Sequence, residues 1–302
     1  MIDDIILIIG AMKSGTTTLF DQLAQDPRIA GATPKEPGFF AFEEVRSMGW
    51  DWYEGLFGFV PGRHRYALEG STDYTKAPFV QGVPDRLEAA RAEGRRFKLI
   101  YVMRDPISRL ASHARHTQAT GKEVGQAISP RGQHGFDAPG GLSPVNLAVS
   151  DYAAQLDPYA AFARRGELHL VTTDAMRADG QAVMDGLAGF LGLDGLVWHP
   201  GHARANTKAD KTRTAPLLQA AADIEPLTRA AKAVLPRAAR EAIKAAGREP
   251  VQTPGRFAPT PEERAALRAR YATGLRALAE RHGVDVPDAW HGDAPPREGD
   301  AA

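Results

Sequence analysis

Lys13 stands inside a glycine-framed loop, directly before a serine and a glycine. The run Gly10-Ala-Met-Lys13-Ser14-Gly15-Thr16-Thr17-Thr18 gathers one lysine and four hydroxyls into a glycine-framed loop. An apolar stretch, Ile5 to Ile9, leads into it, and an amphipathic pattern (Leu19, Phe20, Leu23) follows. A buried parallel strand that opens onto such a loop and then a helix brings backbone N–H groups and the positive helix end together where a phosphate would sit. In a Walker A loop, Gly-x4-Gly is followed directly by Lys and then Ser or Thr. Gly10 and Gly15 keep that spacing, but Thr16 occupies the lysine's place and Lys13 lies within the loop. The chemistry is that of a phosphate cradle, of a kind nucleoside triphosphatases do not use.

A second run, Lys98-Leu-Ile-Tyr-Val-Met-Arg104-Asp105-Pro106-Ile-Ser108-Arg-Leu-Ala-Ser112, reads as a buried strand ending at Arg104. Asp105 can cap the next helix, with Pro106 pre-set at its first position. Ser108 and Ser112 fall on one helical face, and Arg104 can point into the same space. Guanidinium and hydroxyl groups around a helix start suit a phosphomonoester. Either run alone is as well explained by a chain turn or a helix cap. Together they describe two anion pockets able to grip both ends of a doubly phosphorylated nucleotide.

The elements that must position these groups alternate. Strand patterns fall at Ile5–Ile9, Ala67–Glu69, Phe97–Met103 and Glu167–Thr172. Helical patterns fall at Thr16–Gln25, Pro84–Ala92, Pro106–Gln118, Tyr152–Arg165 and Gln181–Leu191. That alternation predicts an α/β fold, a mostly parallel central sheet with helices on both faces. Sites in such sheets lie at the carboxyl ends of the strands, where both runs above sit. Thr120–Asn146 is rich in Gly and Pro and reads as a surface excursion. Asn206–Pro216 is polar and basic. Leu217–Ala246 reads as a helical hairpin broken at Pro236, and Pro261–His282 as a closing helix started by Thr260, Pro261, Glu262 and Glu263. The reading is a single domain over residues 1–302, with a nucleotide-binding α/β core at 1–205 and a basic loop and helical part at 206–302.

Composition narrows the classes. The chain has 302 residues, with Lys plus Arg and Asp plus Glu at 37 each, so no global field favours nucleic acid or an anionic membrane as partner. It has no cysteine, which removes disulfides, thiolate catalysis and cysteine metal sites. The N-terminal apolar run is too short to span a bilayer and is preceded by Asp3 and Asp4, so the expectation is a soluble, cytoplasmic protein.

The segment Lys13-Ser-Gly-Thr-Thr-Thr-Leu resembles the 5′-phosphosulfate loop of sulfotransferases that use 3′-phosphoadenosine 5′-phosphosulfate (PAPS). Arg104 with Ser112 resembles that family's 3′-phosphate motif. Lys35-Glu36-Pro37-Gly38-Phe39-Phe40 and Glu69-Gly-Ser-Thr-Asp-Tyr74 are similar to segments of the branch related to heparan sulfate sulfotransferases and their bacterial relatives. Phe190-Leu-Gly-Leu193 and the closing helix ending near Trp290 are similar too. The resemblance implies a P-loop-like sulfotransferase fold with a helical C-terminal extension. It also implies PAPS as co-substrate, 3′,5′-adenosine bisphosphate (PAP) as product, no metal, and a carbohydrate or small-molecule hydroxyl as acceptor.

Carried over residue by residue, it makes Lys13 and Glu36 catalytic. Lys13, Ser14, Gly15, Thr16, Thr17, Thr18, Arg104, Ser112 and Arg213 become nucleotide contacts. Sulfuryl transfer, like phosphoryl transfer, passes through a loose in-line transition state with charge growing on the leaving oxygen. Lys13 and the loop suit that anion, and Glu36 suits removal of the acceptor's proton. The branch often carries His where Gly38 stands and Lys where Gly70 stands, so both differences bear on the acceptor. Asp73, His113 and His116 are alternative bases. Arg204, Asn206, Lys208 and Arg213 lie where relatives close a loop over the nucleotide. A nucleotide kinase or triphosphatase, and a PAP-binding protein without turnover, are the competing classes.

Overall fold

The computed structural model describes residues 1–120, 144–201, 212–214, 248–250 and 259–291, with backbone alone at 117–120, 212–214 and 248–250. Five strands form the central sheet: β1 (Asp4–Gly10), β2 (Ile29–Gly31), β3 (Tyr66–Glu69), β4 (Arg96–Met103) and β5 (Leu168–Thr172), in the order β2-β3-β1-β4-β5. All four pairings are parallel, with Ile5 opposite Ala67 and Phe97, and Tyr101 opposite Leu170. Every strand therefore delivers its carboxyl end to the same edge.

β1 shows why the sheet is covered on both sides. Ile5, Leu7 and Ile9 belong to one buried cluster and Ile6 and Ile8 to another, as the two-residue period of a strand requires. One face packs against α1 (Thr16–Leu23) through Leu19, Phe20 and Leu23, and against α10 (Gly180–Leu191) through Met184, Leu187 and Leu191. α10 begins at Asp179, whose carboxylate accepts from Ala182 N, and ends at Gly192 in the left-handed region. The other face takes Leu87 of α4 (Val83–Ala92) and Leu110 and Ala114 of α5 (Pro106–Thr120). Tyr271, Leu275 and Leu278 of α11 (Pro261–His282) join the same cluster. α11 carries the capping box that Thr260 and Glu263 suggest, both reciprocal bonds being present.

Several elements depart from the sequence reading. β2 is a three-residue strand, Ile-Ala-Gly, with no apolar run to announce it. The helix expected over Tyr152–Arg165 is three pieces: α7 (Tyr152–Leu156), a 3-10 turn at Asp157–Tyr159, and α8 (Ala160–Arg164). Pro158 lacks the N–H that a continuous helix needs there. α1 ends at Leu23, earlier than expected. Between β2 and β3 lie α2 (Glu43–Arg46) and α3 (Gly49–Gly55), whose aromatic residues are scaffold. The Tyr53 ring stacks on Phe39 at 4.3 Å, and the Arg95 guanidinium lies 4.1 Å from the Trp50 ring centroid. α6 (Pro144–Val149) precedes α7, and α9 (Thr173–Ala178) follows β5.

Thr212–Thr214 and Arg248–Pro250 pair antiparallel as β6 and β7, with Arg213 opposite Glu249. The hairpin expected over Leu217–Ala246 and most of the 120–146 excursion lie outside the described residues. No helix among the described residues is long and apolar enough to cross a membrane.

Candidate active site

The loop after β1 is held from three sides. Ala11 N donates to Val102 O of β4 at 2.9 Å, and the Thr75 hydroxyl donates to Ile9 O at 2.6 Å. Thr173, at the carboxyl end of β5, sends its hydroxyl to within 2.9 Å of both Ser14 O and Met103 O. Gly10 permits this closeness: a Cβ there would stand 2.1 Å from Thr75 Oγ1 and 2.7 Å from Tyr101 Cε2. Lys13 has φ 69°, the only positive φ outside glycine among the described residues, and Gly15 follows at 91° as the N-cap of α1. A lysine in the left-handed region is an uncommon conformation that costs about 1–3 kcal/mol, and such residues concentrate at ligand clamps. The first turn of α1 has neither an acidic residue nor a side-chain cap, so its N–H groups and positive end suit an anion. Ser14 and Thr16 are buried, while Gly15, Thr17 and Thr18 are half-buried around the turn.

The pocket at β4 forms as the Arg-Asp-Pro sequence suggests, with one difference. Asp105 Oδ2 accepts from Ser108 N at 3.0 Å and from the Ser108 hydroxyl at 2.7 Å, and Oδ1 is paired with Arg268 of α11. Ser108 thus completes the cap rather than facing a ligand. Arg104 is buried, with its backbone pinned by Tyr152, whose hydroxyl donates to Arg104 O at 2.6 Å. Ser112 is half-buried two turns along the helix.

Arg109 escaped the sequence reading. It is fully buried and donates to Met12 O at 3.2 Å, to Ser150 Oγ at 2.7 Å and to Asn146 O at 2.7 Å, linking the loop to α5 and α6. The available signal was an arginine and a histidine four residues apart on a helix side that also buries Leu110. Both guanidinium NH groups lie 3.2 Å from His113 Nδ1, so that nitrogen accepts and Nε2 carries the hydrogen. Burial, and then the cations Arg109, Lys76, His116 and Lys13, bring the His113 pKa down to about 2. Such an imidazole is a poor proton acceptor.

Glu36 and its neighbours occupy the loop after β2. Lys35 Nζ lies 2.7 Å from Glu36 Oε1 and 3.5 Å from Thr16 Oγ1, and the Thr72 hydroxyl donates to Glu36 Oε2 at 3.2 Å. The Glu36 side chain is 41% exposed, and each oxygen keeps a lone pair for a proton. Asp73 is differently placed. Its carboxylate lies 2.6 Å from Lys76 Nζ, and that lysine is 2% exposed. Burial lowers the Lys76 pKa, with Asp73 opposing the shift, so protonating Asp73 would strand a buried cation. Glu36 also attracts Lys76, and Arg109 repels it, so the four charges share one neighbourhood.

Glu69 closes β3 and is fully buried. It accepts from Tyr53 at 2.9 Å, Ser71 at 2.5 Å and Tyr74 at 2.5 Å. Burial raises its pKa to about 7, against the lowering effect of those three hydroxyls.

The structure therefore brings Lys13, Ser14, Gly15, Thr16, Thr17, Thr18, Glu36 and Arg104 to the carboxyl edge of the sheet, with Ser112 further along α5. Arg213 lies in β6, and its side chain, like Arg204, Asn206 and Lys208, is outside the described residues. Among the described residues no three His, Asp or Glu side chains gather as a metal-holding group.

Residues 3–222 match the family model described as the sulfotransferase domain. The bifunctional heparan sulfate N-deacetylase/N-sulfotransferase of Drosophila melanogaster is 26% identical over 232 residues, covering 67% of this chain and 21% of that protein. Heparan sulfate glucosamine 3-O-sulfotransferase 3A1 of Mus musculus is 26% identical over 196 residues, covering 63% of this chain and 46% of that one. The chain thus spans between about a fifth and a half of these relatives' lengths. The crystal structure of a sulfotransferase from Alicyclobacillus acidocaldarius superposes with a TM-score of 0.57 at 20% identity, over 95% of this chain and 98% of that one.

Proposed function

The chain belongs to the sulfotransferase domain family, and from that premise we propose that it moves a sulfuryl group from PAPS to a hydroxyl of a carbohydrate or small molecule, with Glu36 as the base. One observation carries the reading furthest. Lys35 bridges the first residue of α1, at Thr16, and the Glu36 carboxylate, so the proton acceptor stands beside the anion cradle. In-line transfer needs that arrangement, since acceptor oxygen and leaving group lie on opposite sides of the moving sulfur.

The residues fit the donor. Lys13, Ser14, Gly15 and Thr16 to Thr18 would hold its 5′ end, and Arg104 and Ser112 its 3′-phosphate. Arg213, in β6, is proposed as a further nucleotide contact. When bound, the donor supplies an activated sulfonate and a phosphate leaving group. Lys13 and the α1 N-terminus stabilise charge that develops on the leaving oxygen. Glu36 takes the acceptor's proton as the acceptor oxygen bonds to sulfur and the bond from sulfur to the leaving phosphate oxygen breaks. Arg109 and Thr173 keep the loop from shifting while charge moves.

Asp73, tied to Lys76, and His113, held by Arg109, are weaker candidates for the base. The test is PAP release from PAPS across a panel of sugar alcohols, aliphatic alcohols and phenols, with chelator present throughout. Turnover that needs an acceptor and survives chelation supports the proposal. Nucleotide binding with no PAP release on any acceptor contradicts it.

A further inference from the structure

Loop 35–40 after β2 and segment 69–75 after β3 are joined at four points. Gly70 N donates to Lys35 O at 2.9 Å, Gly38 N to Ser71 Oγ at 2.9 Å, and Phe40 N to the Tyr74 hydroxyl at 3.2 Å. The Thr72 hydroxyl reaches Glu36 itself. Two of these contacts depend on hydroxyls that receive a loop N–H and must send their own hydrogen elsewhere. Ser71 and Tyr74 both send it to Glu69. An ionised carboxylate only accepts, so it fixes the direction of both hydroxyls and keeps their lone pairs turned toward the loop. A third hydroxyl, Tyr53 of α3, donates to the same carboxylate, but no loop N–H donates to it in turn.

We propose that Glu69 is a positioning residue for Glu36, acting through Ser71 and Tyr74 on the backbone at Gly38 and Phe40. The inference rests on the reading of Glu36 as the base. It explains a carboxylate that is fully buried and hydrogen-bonds to Tyr53, Ser71 and Tyr74 rather than to the anion cradle. A buried hydrogen-bond hub that served only stability would lower the unfolding midpoint when a bond is lost and leave the turnover of the folded enzyme alone. A positioning network responds to which bond is lost, and small misplacement of a reacting group is costly.

Glu69→Ala would strand three hydroxyls and leave a cavity, so the test uses milder variants. Glu69→Gln keeps the size of the side chain but puts a donor NH2 where a carboxylate oxygen accepted; Tyr53→Phe removes one hydrogen bond to Glu69, and Ser71→Ala and Tyr74→Phe each remove one to Glu69 and one from a loop amide. They are assayed at pH 8 for turnover on an alcohol acceptor, for PAP affinity, and for amide hydrogen exchange at Gly38 and Phe40. Glu69→Gln, Ser71→Ala and Tyr74→Phe should each lower kcat at least about tenfold with PAP affinity within about twofold, and Glu69→Gln, which leaves both hydroxyls in place, should speed exchange at the two amides. Tyr53→Phe should keep kcat within about twofold and leave exchange at wild-type rates. The proposal is overturned if Glu69→Gln keeps wild-type turnover and exchange, or if Tyr53→Phe costs as much turnover as Ser71→Ala and Tyr74→Phe. Should Glu36→Gln prove fully active, the base assignment falls by itself, and the exchange rates still report whether Glu69 holds the loop.

Discussion

Lys35 and Gly70 share one space. A Cβ on Gly70 would stand 2.9 Å from Lys35 Cε and 3.4 Å from its Nζ, so the bare glycine lets the lysine lie across the end of β3 and reach Glu36.

Gly70→Ala should therefore push the Lys35 ammonium aside without unfolding the protein, because the clash is with the far end of a flexible chain. A partly exposed ion pair is worth about 0.2–1 kcal/mol, so kcat should fall by a factor of about 1.4 to 5 with PAP affinity unchanged. Steady-state kinetics beside calorimetry would check this. A Gly70→Ala enzyme with wild-type kcat would remove Lys35 from the account of turnover.

Nucleotide selection should depend on Arg104. Isothermal calorimetry should find PAP bound in clear preference to ATP, and Arg104→Ala should weaken PAP by about 2–5 kcal/mol, the usual cost of removing one partner of a buried charged contact. ATP bound as tightly as PAP would contradict a pocket built for a 3′-phosphate.

Lys13 should matter more to rate than to affinity, because charge on the leaving oxygen grows only as the bond breaks. Lys13→Ala should lower kcat by roughly a hundredfold or more, as for other donors aimed at developing charge. Comparing kcat with PAP affinity separates the roles. Unchanged kcat with a raised KM would make Lys13 a binding residue only.

The cradle was readable because local sequence makes it: Gly10, Lys13 and Gly15 sit between a strand and a helix that declare themselves by period. Arg104 was readable for the same reason, at the end of an eight-residue strand. The residues that brace these groups were not. Arg109 reaches Met12 across 97 positions and Thr173 reaches Ser14 across 159, so nothing near either residue in sequence signals its partner. Glu69 lay in a segment chosen for its resemblance, yet its burial under three hydroxyls depends on Tyr53 from a helix that the strand–helix alternation did not predict. β2 was missed because three residues carry too little pattern to mark a strand.

Glu69 also makes stability depend on pH. Its folded pKa, raised by burial to about 7, lies above the ordinary glutamate value of 4.5, so the folded state holds that proton more tightly than the unfolded chain does. Its contribution is fully present below pH 4.5 and is lost as pH rises through about 7, by up to about 3 kcal/mol. Glu69→Gln does not titrate. The wild-type Tm minus the variant's Tm should therefore fall between pH 4.5 and 7 and level off above it. A difference that stays flat across that window would show that Glu69 ionises as easily folded as unfolded.

The central claim is that Glu36 takes the acceptor's proton, and one mutant assayed on two acceptors tests it most directly. Glu36→Gln keeps the size of the side chain and an oxygen for Thr72, but it does not accept a proton. On a sugar alcohol kcat should fall about 10²–10⁴-fold with PAP affinity nearly intact, the usual worth of a positioned base. On a phenol, which is already acidic, the fall should be smaller. His113→Ala and Asp73→Asn, measured beside it, should retain more alcohol turnover than Glu36→Gln. A Glu36→Gln enzyme that works normally on the alcohol, while His113→Ala or Asp73→Asn is folded and silent, would contradict the account.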